Sequence, residues 1–236
     1  MTQPITLYNA KTKKIADNKI ITGPNAWKVA IILEELKIPY TIEYLEITDL
    51  KKPPFESLDP NSRVPAITDP NTSLTLWESG AIMEYLIDTY DRFALLSYTS
   101  FPERYHVKQW LHFQMSGQGP CYGQAVWFAK YHSEKLDSAT ERYFDQIKRL
   151  LYALDKHLNG KEWLVGDKCT YADLAFIPWD KGIPRISGDR AGELEMEKDF
   201  PHFWKWHAKM MERPSVKKII KDKEDALRKK EAAASA

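Results

Sequence analysis

One stretch, residues 61–82 (NSRVPAITDPNTSLTLWESGAI), constrains the fold more than any other. A short apolar run, Val64 to Ile67, is followed by the turn residues Asp69, Pro70 and Asn71 and by a second run, Leu74 to Leu76. Two such runs around Asp/Pro/Asn chemistry read as a strand pair. Trp77-Glu-Ser-Gly-Ala-Ile82 then opens a helix. Free N–H groups at a helix start make a site for a carboxylate. Ser79 adds a hydroxyl there, and Glu78 a negative charge suited to an ammonium group. The plainer alternative is an ordinary hairpin running into a capped helix.

The preceding residues fit the same unit. Ile5 to Tyr8 reads as a short strand, and Lys11, Lys13, Lys14 and Lys19 as an exposed loop. Pro24 and Asn25 open a helix whose apolar residues Val29, Ile32, Leu33 and Leu36 follow helical spacing, with Pro39 as its stop. Tyr40 to Leu45 alternates like a strand, and Pro53-Pro54 punctuates an irregular segment. The order β-α-β-(α)-β-β-α is that of a thioredoxin-like α/β domain, expected over residues 1–90. Residues 91–101 read as a linker, and 102–236 as an all-α domain. That domain is expected to hold one helix from about Glu103 to Lys130, bent near Ser116-Gly117 and Gly119-Pro120, and another from about Ser133 to Leu158. Thr170-Tyr-Ala-Asp173 is a capping-box pattern at the start of a third. The charged, Ala-rich stretch from Lys217 to Ala236 reads as an exposed terminal helix that frays.

Composition narrows the function. With 43% apolar residues in 236, a sizeable core is possible. A net charge of +1 argues against electrostatic capture of nucleic acid or acidic membrane. No apolar run is long enough for a bilayer, and MTQPITLYNA has neither a basic leader nor an apolar signal core. Cys121 and Cys169 make no disulfide framework and no CxxC motif. The six His are scattered without metal-ligand spacing, and no phosphate-binding glycine loop is present. A soluble, cytoplasmic protein is expected.

Five segments carry a resemblance: Gly23-Pro-Asn-Ala-Trp-Lys-Val-Ala, Asn61-Ser-Arg-Val-Pro-Ala, Trp77-Glu-Ser-Gly-Ala-Ile, Phe113-Gln-Met-Ser-Gly-Gln-Gly-Pro and Gly166-Asp-Lys. Over nearly the whole chain the sequence resembles the glutathione transferases, above all the subgroup of the fungal nitrogen-catabolite regulator and the bacterial Nu class. The resemblance implies the two-domain glutathione transferase fold, with glutathione as cosubstrate. It implies a cis Val64-Pro65 bond, backbone pairing of Val64 with the cysteinyl residue, and Glu78-Ser79 at the γ-glutamyl end. Arg63 would add charge or lie on the surface. Relatives bind the glycyl carboxylate with a polar side chain near Leu50, which cannot serve, so Lys51 and Lys52 are the substitutes. Asn25 would lie near the sulfur, with Thr22 as a second donor; either could instead merely cap the helix. Tyr8 is the rival donor, as in classes that use a Tyr at the end of the first strand. Trp110, Phe113, Tyr122 and Phe128 are candidate walls of an apolar second-substrate pocket, with core or interface as the alternative.

An ordinary thiol, pKa about 8.5, is only a few per cent ionised at pH 7, and the thiolate is the nucleophile. A helix N-terminus and an amide donor can lower that value. Neither cysteine sits at the helix start where glutaredoxin-like classes hold theirs, so no mixed disulfide with an enzyme thiol is expected. The expected activity is glutathione-dependent disulfide or peroxide reduction on a small apolar, disulfide or peroxide substrate. The alternative is a non-catalytic module that binds ligands or proteins. A homodimer along the helix from Glu103, through Trp110, Phe113 and Gln114, is expected. The segment from Lys11 to Ile21 is longer than the usual turn and is expected to border the glutathione pocket. The regulator's Asn-rich extension has no counterpart here, so neither prion behaviour nor transcriptional control is expected.

Overall fold

The computed structural model describes residues 2–13, 20–21, 23–183 and 193–234, with side chains described over 2–10, 23–183 and 193–225. The chain divides into two compact units, Met1–Phe93 with Arg213–Ala236, and Ala94–Glu212.

The first unit is built on a five-stranded mixed sheet. Strand β1 (Ile5–Lys13) is central. It pairs in parallel with β3 (Tyr40–Glu46), from Ile5 opposite Tyr40 to Lys11 opposite Glu46. On its other side it pairs antiparallel with β4 (Ala66–Asp69), Tyr8 opposite Ala66. β4 continues antiparallel into β5 (Leu74–Trp77). Helix α1 (Pro24–Glu35) makes the β1-to-β3 crossover. Its start has proline at the first turn, where a missing N–H costs nothing. It ends before Pro39, because Lys37 turns into the left-handed region at φ 54°. The four-residue α2 (Phe55–Leu58) brings Phe55 against Tyr8, ring to ring at 5.7 Å, in a cluster with Ala10, Leu50 and Ala66. Helix α3 (Ser79–Tyr90) follows β5 and packs on α1.

Two expectations for this unit need correction. The Lys11–Ile21 segment is not simply a loop. β1 runs on to Lys13, and β2 (Ile20–Ile21) returns beside it, Thr12 opposite Ile21. Residues 14–19 and Thr22 lie outside the described residues. Nor is the C-terminal stretch a free tail. Helix Pro214–Ala234 belongs to this unit and docks on α1 through buried Val216 and Ile219. Arg213 donates to both Glu35 carboxylate oxygens, at 2.7 and 2.6 Å, and Ser215 donates to the same group. Burial pushes the Glu35 carboxyl up, but the Arg213 and Ser215 hydrogen bonds outweigh it and hold it below its ordinary 4.5. Stability from this tie is therefore fully present above pH 4.5 and is lost as pH falls through the lower folded value. Arg213→Ala leaves a largely buried carboxylate without its cation. It is expected to cost about 2–3 kcal/mol in urea unfolding at pH 7, and less as pH falls below 4.5.

In the second unit, helices α4 (Glu103–Phe113) and α5 (Gly119–Lys130) are joined without a break by a π-helical turn, Gln114–Gln118. The expected bend takes this form. Gly117 belongs there because a side chain would press on Leu150, which a Cβ would meet at 3.1 Å. Helix α6 (Asp137–Leu158) starts four residues later than expected. Its row Phe144, Ile147, Leu151, Leu154 and Leu158 faces the core. Helix α7 (Tyr171–Asp180) is buried almost throughout and starts at the capping box, with both Thr170 and Asp173 engaged. Gly166 sits at φ +64°, and a Cβ there would collide with the Tyr98 hydroxyl. Among the described residues, two further helices, Met196–Asp199 and Pro201–Met211, belong to the unit.

Candidate functional site

The site residues of the first unit lie on several elements: Val64 just before β4, Glu78 and Ser79 just after β5, and Asn25 in the first turn of α1. The Val64-Pro65 bond is cis. It lies one residue before Ala66, which pairs with Tyr8, so the turn borders the middle of the sheet. The preceding loop is shaped by Asp59, a buried carboxylate that accepts the N–H of Asn61 at 2.8 Å and of Arg63 at 2.9 Å. Arg63 itself is exposed and Val64 half-buried. Asp59 was not singled out in the sequence, although Asp59-Pro-Asn is a turn pattern in which an Asp side chain captures backbone N–H groups ahead of it.

Across the hairpin, Glu78 and Ser79 stand at the head of α3. Glu78 is exposed and sits at φ 69°, ψ 113°; Ser79 is buried at 3% exposure. A non-glycine residue at positive φ costs about 1–3 kcal/mol and persists only where surroundings over-determine it. The helix is braced from its far end. Asp69, at the end of β4, accepts hydrogen bonds from the hydroxyls of Tyr85 (2.7 Å) and Tyr90 on α3 and from the Asn71 N–H (2.8 Å). Burial pushes the Asp69 carboxyl up; the Tyr90 and Tyr85 donors outweigh it and bring it below its ordinary value.

Asn25 is the second residue of α1 and half-buried, one turn before Lys28. Lys28 is 1% exposed, and the sequence did not mark it. Burial pulls its ammonium down to about 7, against the opposing pull of the Glu78 carboxylate. Tyr8 packs edge-on against Phe55. Leu50 is buried in the same cluster. Lys51 and Lys52 are exposed, and Lys52 is paired with Asp49 at 3.0 Å.

The four aromatic candidates lie in the second unit and are spent largely on its own packing. Tyr122 is fully buried, edge-on to Trp179, and so is a core residue rather than the wall of an open pocket. Trp110 packs on Phe113 at 5.3 Å and on His157 at 4.5 Å, and Phe113 faces Phe176. Phe128 is half-buried and stacks on Tyr143 and His132. Gln114, expected on a dimer face, is fully buried and donates to Gln118 at 2.9 Å. The signal that misled is the apolar stripe itself, which marks a covered face without saying what covers it.

Two family models match, described as Glutathione S-transferase, N-terminal domain, over residues 22–89, and Glutathione S-transferase, C-terminal domain, over 119–214. The Glutathione S-transferase-like protein OpS6 of Beauveria bassiana is 46% identical over 224 residues, covering 94% of this chain and 96% of its own. Protein URE2 of Saccharomyces bayanus is 34% identical over 238 residues, covering 85% of this chain and 67% of its own. The crystal structure of the glutathione transferase URE2P8 from Phanerochaete chrysosporium, solved with oxidized glutathione, superposes with a TM-score of 0.86. It is 34% identical, covering 97% of this chain and 98% of that one. The chain belongs to the glutathione S-transferase family. Its resemblance to the fungal nitrogen-regulator subgroup stands with these matches.

Proposed function

We propose that the chain is a glutathione-dependent enzyme that uses the bound thiolate to reduce a disulfide or a peroxide. The observation that carries the reading is the presence, in one unit, of the Val64-Pro65 turn before β4 and a helix start bearing exposed Glu78 and buried Ser79. On this reading Ser79 and the α3 N–H groups receive the γ-glutamyl carboxylate, and Glu78 the ammonium. Val64 pairs with the cysteinyl backbone, and Lys51 and Lys52 face the glycyl carboxylate. Glutathione bound in solved relatives of this fold supports the ligand.

Asn25, in the first turn of α1, donates its amide to the sulfur, and the helix N-terminus favours the anion. In disulfide reduction the thiolate attacks the glutathione sulfur of a mixed disulfide between glutathione and a substrate thiol, breaking its bond to the substrate sulfur. The new S–S bond makes oxidized glutathione, and the substrate leaves as thiolate and takes a proton from water. Cys121 and Cys169 form no disulfide, which accords with a reducing, cytoplasmic setting. No helix among the described residues is long and apolar enough to cross a membrane.

Turnover with a glutathione mixed disulfide and with a hydroperoxide, each compared with an aryl halide, tests the reaction. Reduction is expected to exceed conjugation. Asn25→Ala should lower turnover several-fold at pH 7 and less at pH 9, where the thiol ionises unaided. Tyr8→Phe should change little. Loss of activity in Tyr8→Phe with Asn25→Ala silent would assign the sulfur to Tyr8.

The homodimer reading moves to a different surface. Phe101 and Tyr105, 76% and 50% exposed and edge-on at 5.8 Å, offer an apolar face at the start of α4. Light scattering at micromolar concentration should give twice 27.4 kDa. Phe101→Asp with Tyr105→Asp should return it to the monomer mass; a wild-type monomer would contradict the reading.

A further inference from the structure

The hairpin β4–β5 and helix α3 form a closed frame in the first unit. At one end stand the Val64 turn, just before β4, and the Glu78-Ser79 head of α3, just after β5. Ala66 is paired with Trp77 there, so the strand ladder ties the two together close to the site. From that end β4 runs away to Asp69 and α3 to Tyr90. At 3.3 Å per strand residue and 1.5 Å per helix residue, Val64 to Asp69 and Ser79 to Tyr90 each span about 16 Å. The two legs match, and they meet again at the Asp69 carboxylate. Its Oδ2 accepts the Tyr85 hydroxyl at 2.7 Å and the Tyr90 hydroxyl. The exposed Thr72 hydroxyl, 2.6 Å from that of Tyr85, adds a further tie from the hairpin. The other oxygen, Oδ1, serves the hairpin itself: it accepts the Asn71 backbone N–H and side-chain amide, both at 2.8 Å.

Helix α3 also packs on α1. Apolar burial is non-directional, so it presses a helix into place without fixing its rotation or its slide. The two hydroxyls fix both. Tyr85 and Tyr90 lie about 140° apart around the helix axis, yet both donate to one oxygen. A sizeable turn or slide of α3 breaks at least one of these bonds. We infer that Asp69 is a positioning residue for glutathione, setting the α3 head relative to the Val64 turn through Tyr85 and Tyr90. This rests on the glutathione reading of the site given above. Asp69 itself is fully buried at the opposite end of the frame and does not reach the ligand. Asn25, on α1, lies outside the frame, so the tie governs affinity for the tripeptide and not the chemistry at sulfur.

Calorimetry with reduced glutathione on wild type, the double variant Tyr85→Phe with Tyr90→Phe, and Asn71→Ala tests this. The double variant keeps both rings and removes the two hydroxyls. Its Kd is expected to rise about tenfold, because the ligand must then order a site that is no longer held ready. With a glutathione mixed disulfide as substrate, KM for glutathione should rise alike and kcat stay near wild type. Asn71→Ala removes an amide from the other oxygen of the same carboxylate. It is expected to lower the urea midpoint while leaving Kd unchanged, which separates positioning of α3 from stability of the hairpin. An unchanged Kd in a folded double variant, an equal loss of affinity in Asn71→Ala, or a fall in kcat with KM unchanged would overturn the inference and leave the glutathione reading intact. Absence of glutathione binding in the wild type would overturn both. Urea unfolding checks each fold; if the double variant does not fold, Tyr90→Phe alone carries the same test, with a rise in Kd of about threefold expected.

Discussion

Asp173→Ala is expected to cost about 3–5 kcal/mol of stability, the largest loss among single changes in the second unit. The reason is the number of donors that converge on one buried carboxylate. Asp173 Oδ2 accepts the Thr170 backbone N–H at 2.8 Å and the Thr170 hydroxyl at 2.7 Å. Its Oδ1 accepts the Leu164 N–H at 2.9 Å and the Trp206 indole N–H at 2.8 Å. Three separate segments thus meet at one side chain: the α7 start, the loop before it and the helix Pro201–Met211. Alanine removes the acceptor for all four donors at once, in a place where water does not replace it. The melting temperature should fall by roughly 10 °C, given about 2–4 °C per kcal/mol for a chain of this size. Thr170→Ala, which removes one hydroxyl from the same box, should cost only about 1 kcal/mol. Equal losses for the two variants would show that the cap, rather than the convergence on Asp173, sets the stability.

The second large effect is on ligand binding. Ser79→Ala and Glu78→Ala should each weaken glutathione binding by about 1.5–3 kcal/mol, the usual worth of a hydrogen bond to a charged group, or roughly tenfold to more than a hundredfold. Ser79 is the cleaner probe. It is buried at the head of α3, and alanine at a helix start leaves the backbone N–H groups in place. Glu78 is exposed, and alanine there also removes a carboxylate whose pull opposes the burial that lowers the Lys28 ammonium. Unchanged calorimetric affinity in both variants would remove α3 from the site.

Legibility in the sequence followed the range of the forces involved. The β4–β5 hairpin and the α3 start were readable because Asp69, Pro70 and Asn71 act locally, and the structure adds only that Asp69 also holds Tyr85 and Tyr90. The Thr170–Asp173 box was readable for the same reason, but its reach to Trp206 was not, since 33 residues separate the two. Lys28 was missed because a lysine in a helix ordinarily reads as solvated; tertiary packing around α1 buries it. The charged C-terminal stretch misled in the opposite direction. Its composition reads as exposed, yet Val216 and Ile219, three apart, form an apolar spot that docks on α1 with Arg213 and Ser215 on Glu35. Tyr122 and Gln114 were placed on functional surfaces because helical spacing identifies a face, not its cover. In both cases tertiary packing decided what local pattern left open.

A crystal structure of the protein with reduced glutathione measures the central claim most directly. The γ-glutamyl carboxylate should lie on Ser79 and the α3 N–H groups, the ammonium on Glu78, and the cysteinyl backbone on Val64. The sulfur should be within hydrogen-bond distance of the Asn25 amide, about 3.0–3.5 Å, and farther from the Tyr8 hydroxyl. Glutathione bound away from Val64, Glu78 and Ser79, or seated there with its sulfur on Tyr8 and not on Asn25, would contradict the account.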